Sequence, residues 1–225
     1  SEGYIHVAYY AVTLKDLKYA TDSTGEWVTQ TIDSNGFVGY SPSLAIDSDD
    51  NIHISYHDDT NQNLKYATDE SGSWVNSTID SGTNVGSHSS ITTDSSNNVH
   101  IAYYDSGNSD LKYASDSSGT WVLEQVDTAN SVGYYPSIIT DEDDFVHISY
   151  LDYTNNRLKY ANNQSIFVEF GNWQWWTLGE YSVGFENSIA LAKNTEDGAG
   201  EHIYISYYDT ESEGDLYYIK INGRS

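Results

Sequence analysis

The sequence contains no cysteine and no methionine in 225 residues, and only two prolines. Without cysteine no disulfide can staple the fold, and the redox compartment is left open. Cationic side chains are scarce: nine Lys and Arg stand against 34 Asp and Glu, a net charge of −25. Nucleic acid is therefore a poor partner, because affinity for a phosphate backbone comes from cations. Anionic membrane surfaces are disfavoured for the same reason. No apolar run approaches the roughly 20 residues that cross a bilayer, so membrane insertion is not expected. No stretch keeps a helical period of apolar residues. A chain that opens on Ser1 and holds no Met reads as processed or trimmed.

What is present is periodic. His6, His53, His100 and His147 fall 47 residues apart, as do Tyr19, Tyr66, Tyr113 and Tyr160 at the end of a recurring Leu-Lys-Tyr. Trp27, Trp74 and Trp121 keep the period, and so do Ser43, Ser90 and Ser137. A fifth copy starts at Ser188, with Tyr204 in the His position and Leu216-Tyr217-Tyr218 for Leu-Lys-Tyr. Within the second copy four short runs, a to d, are Ser43–Asp47, Asn51–Tyr56, Asn63–Thr68 and Trp74–Asp80. Run b alternates, with Ile52, Ile54 and Tyr56 on one side and His53, Ser55 and His57 on the other, which is a strand period. The separators are Asp/Asn/Ser/Gly clusters, the chemistry of tight turns.

Four antiparallel strands at a fixed period of 40–50 residues predict a propeller blade. The expected fold is all-β, a single five-bladed β-propeller domain over residues 1–225. Its blades fall near 1–38, 39–85, 86–132, 133–183 and 184–225. The first blade begins at strand b (Tyr4–Tyr9) and lacks strand a; the fifth ends after strand c (Leu216–Ile221) and lacks strand d. Either the two incomplete blades close against each other, or further chain completes the ring, and the first option leaves edges that need cover.

The turn between c and d reads Asp22-Ser-Thr-Gly25-Glu-Trp27, Asp69-Glu-Ser-Gly72-Ser-Trp74 and Asp116-Ser-Ser-Gly119-Thr-Trp121. It resembles the Asp-box of sialidase-like propellers in position and in Asp-to-Trp spacing, although Gly comes one place late. The resemblance implies a fold element, in which the Asp accepts hydrogen bonds from the turn backbone and the Trp packs between blades. In the fourth copy Gly171 and Trp173 remain but the Asp does not. Sialidase activity is rejected, because it needs three arginines on the substrate carboxylate and this chain has Arg157 and Arg224 alone. Repeat number and period are similar to tachylectin-type five-bladed lectins.

The a-to-b turn at Asp47, Asp49 and Asn51 looks like half of a calcium loop, though the Gly and the distal Glu of an EF-hand are missing, so a hairpin turn is the plainer reading. The repeating histidines are expected to be satisfied between blades, since four equivalent positions of a ring do not converge on one metal.

Ligand binding is expected at the mouth of the central channel, where d-to-a segments meet the ends of strand b. The candidates are Tyr10, Tyr40, His57, Asp58, Tyr104, Asp105, Tyr134, Tyr135, Asp152, Tyr208 and Asp209. Aromatic rings beside carboxylates suit sugars, the ring stacking on the C–H face and the acid meeting hydroxyls; the plainer reading packs the Tyr between blades and caps turns with the Asp. Arg157 stands where other copies have Asn63, Asp110 and Asp215. With His57, His88 or Tyr135 it would serve a polysaccharide lyase.

The leading expectation is a secreted or cell-surface binding module for carbohydrate, without catalysis and without cofactor, calcium excepted. The alternatives are a glycan-active lyase or hydrolase, and a protein-interaction propeller cut from a longer extracellular protein.

Overall fold

In the computed structural model the chain is entirely β among the described residues, which are 3–164, 173–178, 183–193, 201–209 and 215–222, with backbone alone for 183–185, 193, 201, 209 and 222. The strands form five antiparallel sheets in chain order. The first holds β1 (His6–Ala11), β2 (Asp16–Thr21) and β3 (Val28–Asp33). The second holds β4 (Val38–Ile46), β5 (Ile52–Asp58), β6 (Asn63–Thr68) and β7 (Val75–Asp80). The third holds β8 (Val85–Thr93), β9 (Val99–Asp105), β10 (Asp110–Ser115) and β11 (Val122–Asp127). The fourth holds β12 (Val132–Thr140), β13 (Val146–Asp152), β14 (Arg157–Asn162) and β15 (Gln174–Leu178). The fifth holds β16 (Val183–Lys193), β17 (Glu201–Asp209) and β18 (Leu216–Asn222).

These are the five predicted blades, three-stranded at each end, in a propeller-like arrangement. The strands β4, β8, β12 and β16 lie side by side as the innermost of each sheet, with β1 next to β4. Serines at the repeat period stitch this inner row: Ser43, Ser90 and Ser137 Oγ accept from the N–H of Ile91, Ile138 and Ile189 at 3.2, 3.3 and 3.2 Å.

The core sits between sheets rather than within them. Four apolar clusters occupy the four junctions of consecutive sheets. At the first, Leu17, Tyr19 and Ile32 meet Ile52, Ile54, Tyr56 and Ala67 of the next blade. The alternation read from run b is therefore real, and its apolar side faces the preceding blade. The first three junctions each bury one polar knot as well. Tyr56 donates to Asp33 Oδ2 at 2.8 Å, and Lys65 reaches the same oxygen. Tyr103 and Lys112 repeat this on Asp80, and Tyr150 and Lys159 on Asp127. A buried carboxylate with an ammonium and a hydroxyl on it is satisfied; removing it would strand both partners.

The Trp of the c-to-d turn packs across the junction, with Trp74 5.2 Å from Tyr19, Trp121 5.2 Å from Tyr66 and Trp173 5.0 Å from Tyr113. The Asp does something different from the expectation. Asp22, Asp69 and Asp116 accept from the first N–H of strand b, at Ile5, Ile52 and Val99, each at 2.7 Å. In the fourth blade Asn163 Oδ1 takes that role toward Val146 at 2.8 Å. A carboxamide oxygen accepts as a carboxylate does, so the position is kept although the acid is not.

The histidines are satisfied, but inside each blade rather than between blades. His53 Nδ1 lies 2.5 Å from the Tyr66 hydroxyl and Nε2 3.2 Å from Asp47 Oδ2. His100 with Tyr113 and Asp94, and His147 with Tyr160 and Asp141, repeat the arrangement. An ionised carboxylate can only accept, so Nε2 donates to it, and the phenol is the partner of Nδ1.

Candidate functional site

The d-to-a segments are not loops. They form the first half of β4, β8, β12 and β16, whose pairing with strand b slips twice, at Val38/Tyr40/Ser43 in the second blade and at equivalent places in the others. Each slip has one cause that the sequence shows and one that it hides. The visible one is Gly39, Gly86 and Gly133, with φ of 93, 88 and 93°. A Cβ there would stand 2.6, 2.5 and 2.7 Å from the Cα of Leu17, Leu64 and Leu111 in the preceding blade, so only glycine fits. The hidden one comes two residues later. Ser41, His88, Tyr135 and Glu186 adopt φ of 45, 52, 49 and 48°, the left-handed region that non-glycine residues seldom occupy.

These four bulged positions converge. Together with Pro42, Ser89, Pro136 and Asn187 they line one cleft of about 310 Å³. Many of its other polar atoms are held by the fold: Ser89 bonds Ser55 at 2.9 Å, and Asn187 donates to the Tyr135 carbonyl at 3.0 Å and accepts from Ser149. The four strained positions carry a different side chain in each blade: a hydroxyl, an imidazole, a phenol and a carboxylate. His88 and Tyr135 touch, with ring centroids 4.6 Å apart.

Around the cleft the predicted aromatics pair across blades. Tyr10 and Tyr40 stand 4.8 Å apart, and Tyr104 and Tyr134 4.0 Å, with the Tyr104 hydroxyl donating to that of Tyr134 at 2.8 Å. Tyr153, which the sequence reading passed over, joins this group 5.1 Å from Tyr134. Its signal was faint, since no other copy has an aromatic residue at that turn position. Tyr40 and Tyr153 are each 53% exposed, and Tyr208 is exposed as well, whereas Tyr104 is buried. Burial, and then the Tyr104 contact, raises the Tyr134 phenol above its ordinary value.

His57 is buried, and its Nε2 finds no hydrogen-bond partner among the described residues. Burial lowers its pKa below 6.5; Asp59 and Asp58 push upward, and the neighbouring His88 pushes it further down. Burial lowers His88 as well. Both imidazoles are therefore neutral at pH 7 and can donate or accept.

The predicted acids lie elsewhere in role. Asp58, Asp105 and Asp152 are buried, and each caps its own b-to-c turn, accepting from the backbone and side-chain amides of Asn61, Asn108 and Asn155 at 2.8–3.0 Å. The side chain of Asp209 lies outside the described residues. Arg157 opens β14 opposite Asp152 and is not part of the cleft lining. Asp47 Oδ1 accepts from the N–H groups of Asp49 and Asn51 at 2.9 and 2.8 Å, and its Oδ2 from Asn51 and His53. Asp49 accepts from Asn97 at 2.8 Å. The calcium candidates thus form a turn. Among the described residues no group of three or more His, Asp or Glu is arranged to hold a metal ion.

No known protein family and no curated protein matches the sequence. Solved structures do resemble the fold. An Aleuria aurantia lectin, in complex with Fucα1-6GlcNAc, superposes over 98% of this chain and 72% of its own, at 15% identity and a TM-score of 0.62. A Hadza microbial sialidase matches over 93% and 53%, at 13% and 0.53. The α-L-arabinofuranosidase of Fusarium graminearum matches over 83% and 63%, at 13% and 0.52. The chain therefore spans between about half and three-quarters of these neighbours. At such identities they establish a β-propeller architecture shared with a lectin and with glycosidases, and no residue-level role.

Proposed function

We propose that this chain is a carbohydrate-binding propeller, secreted or displayed at a cell surface, whose site is the cleft between Ser41, His88, Tyr135 and Glu186 and the tyrosine pairs at its rim. One observation carries the reading. Four equivalent backbone bulges hold non-glycine residues in a conformation that costs about 1–3 kcal/mol each, and they aim four different side chains at one cleft. Varied side chains at a repeated positive φ also occur in the b-to-c turns, at Lys15, Gln62, Ser109 and Asn156, so it is the convergence of the bulged positions on one cleft that suits recognition better than packing. The volume is near the lower bound of small-ligand sites, roughly 300 Å³, which suits one or two sugar rings. Neutral imidazole, phenol and hydroxyl groups match sugar hydroxyls, and Tyr40 and Tyr153 offer exposed rings for C–H faces.

A lyase acting on uronates is less well supported, since the cleft lining carries Glu186 and no cation, and an acid would be repelled there. A hydrolase needs a carboxylate pair, and the lining supplies one acid.

The test is a glycan array on the full chain, with and without calcium, followed by titration calorimetry of any hit. Binding that weakens at least about tenfold on His88→Ala and on Tyr134→Ala, a loss of about 1.4 kcal/mol or more, supports the assignment. Absence of binding to every glycan overturns it. Release of an unsaturated product from acidic polysaccharide would replace binding by lyase chemistry, and a requirement for calcium would restore Asp47, Asp49 and Asn51 as a metal site.

A further inference from the structure

The lysines of the first four blades are engaged away from the cleft. Lys65, Lys112 and Lys159 reach Asp33, Asp80 and Asp127 in the seams. Lys18 lies 3.9 Å from Asp16, and Lys15 sits over the Phe37 ring at 3.5 Å. The cleft lining holds no Lys or Arg and one carboxylate, Glu186. That side chain is exposed, and among the described residues no hydrogen bond or ion pair holds it. Water satisfies an exposed carboxylate, so the fold asks nothing of it. What it does is set the sign of a ligand. A sugar hydroxyl would give it a neutral donor; an ammonium would give it a charged one, and such hydrogen bonds are roughly twice as strong. The surface acts in the same direction, since a net charge of −25 draws cations toward a cleft that has no cation of its own.

A second, independent feature is a run of rings beside that acid. His88 lies 4.6 Å from Tyr135, Tyr135 6.4 Å from Tyr134, and Tyr134 5.1 Å from Tyr153, centroid to centroid. The repeat supplies the control. In the two preceding copies the Tyr153 position holds Ser106 and Asp59, and the Tyr134 position holds Ser87 and Tyr40. The run is complete on the fourth blade alone, and that blade adjoins the one carrying Glu186, where Ser137 Oγ accepts from the Ile189 N–H. Tyr134 is steadied from behind by the buried Tyr104, whose hydroxyl donates to it, while Tyr153 is left half exposed. A path of rings leading out of a cleft serves a chain of sugars with flat C–H faces, which β-linked hexoses with equatorial substituents present on every ring.

We propose that the glycan taken by this cleft is cationic, an oligosaccharide of β-linked amino sugars whose amino groups are free. The ammonium of one ring lies on the Glu186 carboxylate, and the following rings lie on Tyr135, Tyr134 and Tyr153. This rests on the carbohydrate reading of the cleft and adds the class of sugar. N-acetylation of the ligand removes its charge and leaves its ring faces, so it loses the first contact and keeps the second. Glu186 is exposed, and its contribution is therefore modest: about fivefold in affinity, the upper end for an ion pair at an exposed site.

Titration calorimetry on the full chain at pH 7, with the β-1,4 trimer of glucosamine and with its fully N-acetylated form, tests the proposal. The free amine is expected to bind about fivefold tighter in about 0.05 M salt, and the gap should close at about 1 M, where charges are screened. Glu186→Gln should abolish the gap and leave binding of the acetylated trimer unchanged. If that variant loses both trimers, Glu186→Asp, which keeps the charge, decides: a gap retained supports the proposal and a gap lost overturns it. Equal binding of the two trimers by the wild type, or tighter binding of the acetylated one, overturns the amino-sugar class and leaves a carbohydrate site standing. So does binding of other glycans with neither trimer bound. A gap that survives Glu186→Gln overturns the assignment to the cleft, because the charge of the whole surface would then be its cause. A chain that binds no glycan at all overturns this proposal together with the reading beneath it.

Discussion

The seams between blades and the axial cleft come from the same repeat and treat it in opposite ways. At the seams both backbone and side chain recur: Asp33, Asp80 and Asp127 sit under the same Tyr and Lys in each copy. At the cleft the backbone recurs and the side chain does not, so Ser41, His88, Tyr135 and Glu186 share one φ region. A seam must fill the same space each time, so its residues are interchangeable among blades. A cleft reached once from each of four blades has no such demand, and its composition is free to follow a ligand. Repetition of the side chain marks structure here, and varied side chains brought together on one cleft mark the candidate site.

The largest break in that contrast is expected from Asp80→Ala. It leaves the Tyr103 hydroxyl without its acceptor and the Lys112 ammonium with the more distant Asp105 carboxylate, at 4.0 Å, and loss of one partner of a buried ion pair costs about 3–5 kcal/mol. His88→Ala, in the cleft, should cost far less in urea unfolding and far more in ligand binding. Equal losses from both would dissolve the distinction. The seam also carries a pH signature. Burial alone would raise the Asp80 pKa, but Lys112, Tyr103 and the Gly82 N–H outweigh it, so the group is held below its ordinary 3.8. Asp33 is lowered against its burial in the same way by Lys65, Asn35 and Tyr56. A depressed carboxylate contributes stability that is complete above its unfolded pKa and lost as pH falls through the folded one. The urea midpoint should therefore hold between pH 7 and 5 and fall below about pH 4, less steeply in Asp80→Ala.

A smaller effect is expected at the glycines that bring one blade against the next. Gly86→Ala places a methyl 2.5 Å from the Leu64 Cα at a φ of 88°. Backbone strain and overpacking cost about 1–3 kcal/mol each, so a loss of about 2–4 kcal/mol should appear in the urea midpoint. A neutral outcome would mean the seam has slack, and the contrast with the cleft would narrow.

Much of the seam was legible in the sequence because its causes are side chains at a fixed period. The Leu-Lys-Tyr motif, the alternating strand b and the turn Trp predicted five sheets and the two faces of strand b. The histidines were harder: their partners Asp47 and Tyr66 lie 6 and 13 residues away within the same blade, and nothing in the spacing separates that from a partner across the seam. The acids at the end of strand b misled for a related reason. Asp58 followed by Asn61 is a turn cap, and a cap and a ligand use the same carboxylate. The bulge was hidden altogether, since Ser, His, Tyr and Glu carry no common signature for a positive φ.

The smallest effect cuts most sharply, because it falls two residues from a seam glycine. Ser41 is partly buried, and its φ of 45° costs a non-glycine residue about 1–2 kcal/mol. Glycine would remove that cost but bring extra unfolded-state freedom worth about 0.5–1 kcal/mol. Ser41→Gly should therefore stabilise the fold by about 0.5 kcal/mol, read as a small rise in urea midpoint. Ser41→Ala, which keeps the Cβ, should leave the midpoint nearly unchanged. A chain that keeps glycine at Gly39 and forgoes it at Ser41 then holds strain at the cleft that it does not hold at the seam. If Ser41→Gly is destabilising instead, the hydroxyl is part of the packing, and the cleft loses its claim to differ from the seam.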